Sequence, residues 1–92
     1  MIESFKHKGL EALFRRGETR GLQAQQVPRI LRILDALDAA AEVQTLDVPG
    51  WHLHRLKGNL KGLWSLKVSG NWRITFEFEN GNATVLNLED YH

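Results

Sequence analysis

Residues 72–79 read Trp-Arg-Ile-Thr-Phe-Glu-Phe-Glu, so Trp72, Ile74, Phe76 and Phe78 alternate with Arg73, Thr75, Glu77 and Glu79. A strict period of two is the pattern of a strand with one face on a core, and it fits no amphipathic helix. The preceding stretch repeats it, with Trp64, Leu66 and Val68 on one side and Ser65, Lys67 and Ser69 on the other. Ser69, Gly70 and Asn71 supply a tight turn between these two strands, and Asn80-Gly81-Asn82 supplies the next. Residues 51–58 before them and 83–92 after them complete four strands joined by short connections. Connections that short force antiparallel neighbours, so the second half of the chain predicts a four-stranded antiparallel meander. In this register Arg73 faces away from the core.

The first half has the other period. Residues 2–7 read as a short first strand. In "KGLEALFRRGE", Leu10, Leu13 and Phe14 fall at helical spacing and Gly17 marks the stop. A second, longer helix is expected through "LQAQQVPRILRILDALDAAAEV", with Val27, Ile30, Leu31, Leu34, Leu37 and Val43 on its apolar stripe. Pro28 is tolerated only within the first turn, which places the start between Ala24 and Val27. A leucine stripe of this kind more often lies on a sheet than on a partner helix. The order strand, two helices, four strands predicts one α+β domain over residues 1–92, with the helices on one sheet face and the other face free to carry function.

A chain of 92 residues with 42% hydrophobic positions builds only a modest core. There is no cysteine, so neither disulfides nor thiolate metal sites support it. The opening "MIESFKHKGL" has no apolar signal region, and no stretch approaches the roughly 18 apolar residues of a membrane span. The expectation is a soluble, cytoplasmic protein. Net charge is only +1, but its distribution is uneven: between Asp47 and Glu77 there is no acid, while Arg55, Lys57, Lys61, Lys67 and Arg73 share that window with His52 and His54. Such a window makes a phosphate-attracting surface on a nearly neutral chain.

The chemistry-bearing residues fall at strand ends. His54 and Lys57 lie on or just after the first meander strand, Arg73 begins the third, and Asp90, Tyr91 and His92 follow the fourth. Neighbouring strand ends meet in space, so these residues are candidates for one patch. Cations, imidazoles and a tyrosine suit cleavage of an RNA backbone, in which a base takes the 2′-hydroxyl proton, cations stabilise the phosphorane and an acid protonates the leaving oxygen. Tyr91 offers a ring for stacking on a base. Taken singly, each residue has a plainer reading: a terminal histidine frays, and a strand arginine covers its neighbours with its stem. His52 and His54 share a strand face, yet without cysteines or nearby carboxylates they make a poor metal pair, and no cofactor is expected. "GNLKG" is a turn and not a phosphate-binding loop.

The segments "MIESFKHKGLEALFRRG", "LHRLKG", "WSLKVSGNWRITFEFENG" and "NLEDYH" together resemble the HigB toxins of the RelE superfamily, the killer components of bacterial type II toxin–antitoxin systems. The likeness covers nearly the whole chain and is weakest from Gln23 to Val43. It implies a RelE-like fold and a ribosome-dependent, metal-independent endoribonuclease that cuts messenger RNA in the aminoacyl site and stops growth. It further implies a HigA-like helix-turn-helix antitoxin, with operator DNA bound only through the toxin–antitoxin complex. Carried across by position, it marks His54, Lys57, Arg73, Asp90, Tyr91 and His92 as catalytic, and Lys57, Lys61, Lys67, Asn71 and Arg73 as RNA-binding. His92 would be the main proton-transfer group, Lys57 and Arg73 would stabilise the phosphate, Tyr91 would orient the nucleotide, Asp90 would orient a histidine, and Asn71 would help read the base. A terminus that ends on His92 would then be short because it belongs to the site.

One departure stands out. Where related toxins often carry a further arginine on the strand before the Ser-Gly-Asn-Trp turn, this chain has Val68, which reads as a missing cation with Lys67 or Lys61 as compensation. Two other functional classes fit the same residues: a catalytically silent ribosome- or RNA-binding module, and a co-repressor that acts mainly through its antitoxin. An adjacent gene for a helix-turn-helix protein separates a toxin from a protein with a solitary function.

Overall fold

The computed structural model describes residues 1–58 and 62–91. Helix α1 spans Lys8–Arg16 and α2 spans Val27–Ala39, followed by strands β1 (His54–Arg55), β2 (Trp64–Ser69), β3 (Trp72–Glu79) and β4 (Asn82–Asp90). The strands form one antiparallel sheet in the order β1-β2-β3-β4. Both helices lie on one face, as the sequence predicts. Leu10, Leu13, Ile30, Ile33, Leu34 and Leu37 bury there against Leu66, Ile74, Phe76, Leu86 and Leu88, each burial worth about 1.5–3 kcal/mol. Among the described residues no helix is long and apolar enough to cross a membrane.

Local chemistry sets the element ends. His7 caps α1 by accepting the Leu10 N–H at Nδ1, 3.2 Å away. Gly17, at φ 70°, closes the helix, with its N–H on the Leu13 carbonyl and the Glu18 N–H on the Ala12 carbonyl; the left-handed turn favours glycine because it carries no Cβ. Pro28 sits in the first turn of α2, after a single 3-10 turn at Ala24–Gln26. The helix ends earlier than its sequence suggests. Ala40 leaves it at ψ 127°, because the Asn80–Gly81 turn packs against the Ala40–Ala41 backbone, and tertiary docking outweighs alanine's helix propensity. Val43 falls in a separate 3-10 turn, Val43–Leu46. Leu31, expected on the apolar stripe, is exposed, while Ile33 is fully buried in its place.

The strands also depart from a plain meander. β1 is only two residues long because His52 takes φ 50°, which breaks the extended run; the Lys67 N–H then holds the Trp51 carbonyl at 2.7 Å. Residues 2–7 pair along β4 in parallel, but only through two isolated bridges, Ile2 to Ala83 and Phe5 to Leu86. The interruption lies in β4, where Val85 sits at φ 51° in a bulge between the Thr75–Asn87 and Glu77–Thr84 pairs. Ser4 fills the gap: its Oγ accepts the Val85 N–H at 2.9 Å and its carbonyl accepts the Leu86 N–H at 3.2 Å. A second bulge lies at Val68, between Lys67 and Ser69.

That second bulge changes one reading. Ser69 no longer shares a face with Lys67; its hydroxyl accepts from Gln26 Nε2 at 3.0 Å on the helix side. Val68 packs in the core at 2% exposure, on the side that alternation assigns to it. The residue of that pair that turns toward the open face is Lys67.

Candidate functional site

The face opposite the helices is ordered by strand register. One cross-strand row runs His54, Ser65, Thr75, Asn87, and the next runs Lys67, Arg73, Glu89. Side chains opposite one another in an antiparallel sheet are close neighbours, so residues from four strands converge. They line a cleft of about 240 Å³ formed by His52, His54, Ser65, Lys67, Arg73 and Tyr91.

Arg73 is the most constrained member. Its Nε donates to Glu89 Oε1 at 2.9 Å, and its guanidinium carbon lies 4.2 Å from the centre of the Tyr91 ring. The residue is only 9% exposed. Facing away from the core did not make it a solvated strand arginine, because a carboxylate and an aromatic ring enclose it. Contact between a cation and a ring that is partly shielded from water is worth about 1–2 kcal/mol. The ion pair uses Nε, which leaves the terminal nitrogens to donate to an anion in the cleft. Tyr91 is placed by its own N–H, which donates to the Asn71 carbonyl at 2.9 Å. The β2–β3 turn thus holds the end of β4.

His54 Nδ1 lies 3.0 Å from the His52 carbonyl. A carbonyl only accepts, so Nδ1 carries the proton, and in the neutral ring Nε2 is left with a lone pair to take a proton from a substrate. Both histidines are exposed. Ser65, at 2% exposure, forms the floor of the cleft beside His54.

The residues expected from the sequence divide as follows. His54, Lys67, Arg73 and Tyr91 gather in the cleft. Lys57 is exposed two residues beyond β1 and is not part of the lining. Asn71 stands exposed at the β2–β3 turn. Asp90, opposite Trp72 at the end of β4, is exposed. Lys61 and His92 lie outside the described residues. Three participants were not anticipated in these places: Ser65, Glu89, and His52 as a wall of the cleft whose carbonyl orients His54.

Comparison with known proteins gives the arrangement its context. The family model described as RelE-like toxin of type II toxin–antitoxin system HigB matches residues 3–92. The chain is 54% identical to the endoribonuclease HigB of Proteus vulgaris over 92 residues, covering all of both chains. It is 34% identical to toxin HigB-1 of Vibrio cholerae over 93 residues, covering 99% of this chain and 98% of the relative. Among solved structures, a chain of the YoeB–YefM complex from Staphylococcus aureus superposes with a TM-score of 0.64 at 20% identity, covering 100% of this chain and 95% of that one. YafQ from Escherichia coli superposes with a TM-score of 0.59 at 12% identity, covering 98% of this chain and 91% of that one. At those identities the structural likeness speaks for the fold.

Proposed function

The chain belongs to the HigB-like, RelE-like toxins of type II toxin–antitoxin systems, and from that membership we propose that it is a ribosome-dependent endoribonuclease that cleaves messenger RNA in the aminoacyl site. The endoribonuclease assignment follows the Proteus vulgaris relative, identical at 54% of positions over the full chain. The observation that carries the reading is the convergence of His54, Lys67, Arg73 and Tyr91 on one cleft.

The chemistry asked of this cleft is an internal transfer. The 2′-hydroxyl loses its proton to a base and attacks the adjacent phosphorus, the bond to the 5′ oxygen breaks, and that oxygen receives a proton. The products are a 2′,3′-cyclic phosphate and a free 5′-hydroxyl. His54 Nε2 suits the role of base, its tautomer fixed by the His52 carbonyl. Arg73 and Lys67 face the added negative charge of the phosphorane. A preorganised contact of that kind is worth about 2.7–4 kcal/mol, and the Glu89 and Tyr91 contacts supply Arg73 with the preorganisation. Tyr91 offers its outer ring face and hydroxyl to a nucleotide. His92 is assigned protonation of the leaving oxygen and Asp90 the orientation of a histidine. Lys57 and Asn71 extend the RNA-contacting surface around the cleft, and Lys61 is assigned an RNA contact as well.

The partner is an antitoxin, proposed to be of the HigA-like helix-turn-helix kind and to carry the operator-DNA contact. The cytoplasm is the compartment in which the ribosome and such a partner are met. Brief expression of the wild type, His54→Ala and His92→Ala in growing bacteria, with 5′ ends mapped on translated and untranslated copies of one reporter, tests the reading. Cuts that require translation and disappear in both variants are expected. Equal cutting of untranslated RNA would refute ribosome dependence, and wild-type cutting by both variants would refute the site.

A further inference from the structure

A second cleft adjoins the first on the same sheet face. It measures about 260 Å³ and is lined by Lys6, Leu63, Thr75, Val85, Asn87 and Glu89. The two share a floor and a wall. Ser65, under the first, pairs directly with Thr75, under the second, and the Arg73–Glu89 ion pair stands between them, with Arg73 facing one cleft and Glu89 the other. We propose that this second cleft is a subsite for one RNA base next to the scissile phosphate, and that it favours bases with an exocyclic amino group over uracil. The inference rests on the ribonuclease reading of the first cleft and extends it to sequence preference.

Three features of the lining point to a base as occupant. Thr75, in the lining of this cleft, is 3% exposed and Ser65, in the lining of the first, 2%. A hydroxyl in a cleft lining both donates and accepts toward an occupant. Leu63 and Val85 supply apolar walls for the faces of a ring. Val85 reaches this position only through the bulge, at φ 51°. A β-branched residue in the left-handed region is strained, and strain of this kind gathers where a binding surface needs it. The volume lies just under the roughly 300 Å³ at which small-molecule pockets begin, which suits one base more than a whole nucleotide.

The polar groups set the preference. Glu89 uses Oε1 for Arg73 and has Oε2 left to accept. A carboxylate accepts from an exocyclic amine, as glutamate does from the N4 amine of cytosine. Adenine, cytosine and guanine carry such an amine, while uracil presents a carbonyl oxygen that the carboxylate repels. The same carboxylate disfavours a phosphate in the cleft. Lys6, pinned by its N–H to the Leu86 carbonyl at 2.7 Å, supplies a cation at the rim for the phosphate outside. Asn87 donates and accepts beside Thr75, and so reads an edge of the base.

Two measurements test this. In the first, ribosomes translate a message library randomised around the cut, in the presence of wild type, Asn87→Ala or Thr75→Val, and the 5′ ends are sequenced. Each lost hydrogen bond corresponds to about 0.5–1.5 kcal/mol, so the wild type should disfavour uracil at one flanking position by about 3- to 10-fold. Both variants should cut the same phosphate with that preference reduced. In the second, the free protein is titrated with adenosine, cytidine and uridine monophosphates while the Asn87 side-chain amide is followed by nuclear magnetic resonance. The amide should move with the first two and not with the third. Normal cutting with an unchanged flanking profile, or an Asn87 amide indifferent to all three nucleotides, overturns the subsite. An amide that responds as expected in a protein that makes no cuts supports the subsite and refutes the ribonuclease reading instead.

Discussion

Removing the carboxylate at Glu89 should cost stability and activity together, because one ion pair holds Arg73 in place for both. The Arg73 side chain is 10% exposed and that of Glu89 33%, with 2.9 Å between Nε and Oε1. A hydrogen bond between charged groups is worth about 1.5–3 kcal/mol. The partial exposure of Glu89 screens it, which places the net value nearer 1–2 kcal/mol. For a domain of this size each kcal/mol moves the melting temperature by roughly 4–8 °C. Glu89→Gln should therefore lower the melting temperature by about 5–15 °C and leave the fold intact. The sharper measurement is a double-mutant cycle on unfolding free energy with Glu89→Ala, Arg73→Ala and the pair. A coupling near 1–2 kcal/mol is expected, whereas independent sites add to within about 0.3–0.5 kcal/mol. Cleavage should fall in Glu89→Gln through the rate at saturating ribosomes, since the loosened guanidinium matters most when phosphorane charge develops. Glu89→Asp should recover part of that rate. Additivity in the cycle, or a Glu89→Gln enzyme with wild-type rate and stability, would refute the claim that the pair positions Arg73.

Two further predictions concern the scaffold. Burial holds the His7 imidazole below its ordinary 6.5, and its Nδ1 lone pair caps α1 only while unprotonated. The unfolded chain therefore binds more protons as pH falls through the ordinary value, and stability that is full above pH 6.5 is lost below it, by up to about 1 kcal/mol. Urea unfolding between pH 7.5 and 5.5 should show this loss in the wild type and less of it in His7→Asn, which keeps a cap without titrating; parallel pH dependences would count against it. Gly81 takes φ 80° beside Asn80 at φ 54°, the two-residue hairpin turn that needs positive φ at both positions. Gly81→Ala should cost about 1–2 kcal/mol, read as a lower urea midpoint with an unchanged slope.

Much of this architecture is visible in the chain because period and turn chemistry agree over residues 62–82. Alternation fixes which side chains reach the core, and Gly70 and Asn80-Gly81 fix where the strands reverse. The site was less legible, for a reason that lies in β4. Counting back from the Asn80–Gly81 turn without interruption puts Leu88 opposite Arg73. The bulge at Val85 adds one residue, and Glu89 arrives there instead. A one-residue slip moves every side chain beyond it to the other face, so the carboxylate that orients Arg73 could not be read from spacing. The cause of the bulge is not local either. Valine resists a positive φ, and nothing in "NATVLNLED" announces one; what supports it is Ser4, eighty-one residues away, which accepts the Val85 N–H. The same logic covers Ser69, which alternation places beside Lys67 and which the bulge at Val68 turns to Gln26 on the helix side. Resemblance supplied His54, Arg73 and Tyr91 because it carries positions across without any register argument. The groups that hold those three in place, the His52 carbonyl, Glu89 and the Asn71 carbonyl, act partly through backbone atoms, and a backbone atom has no letter in a sequence.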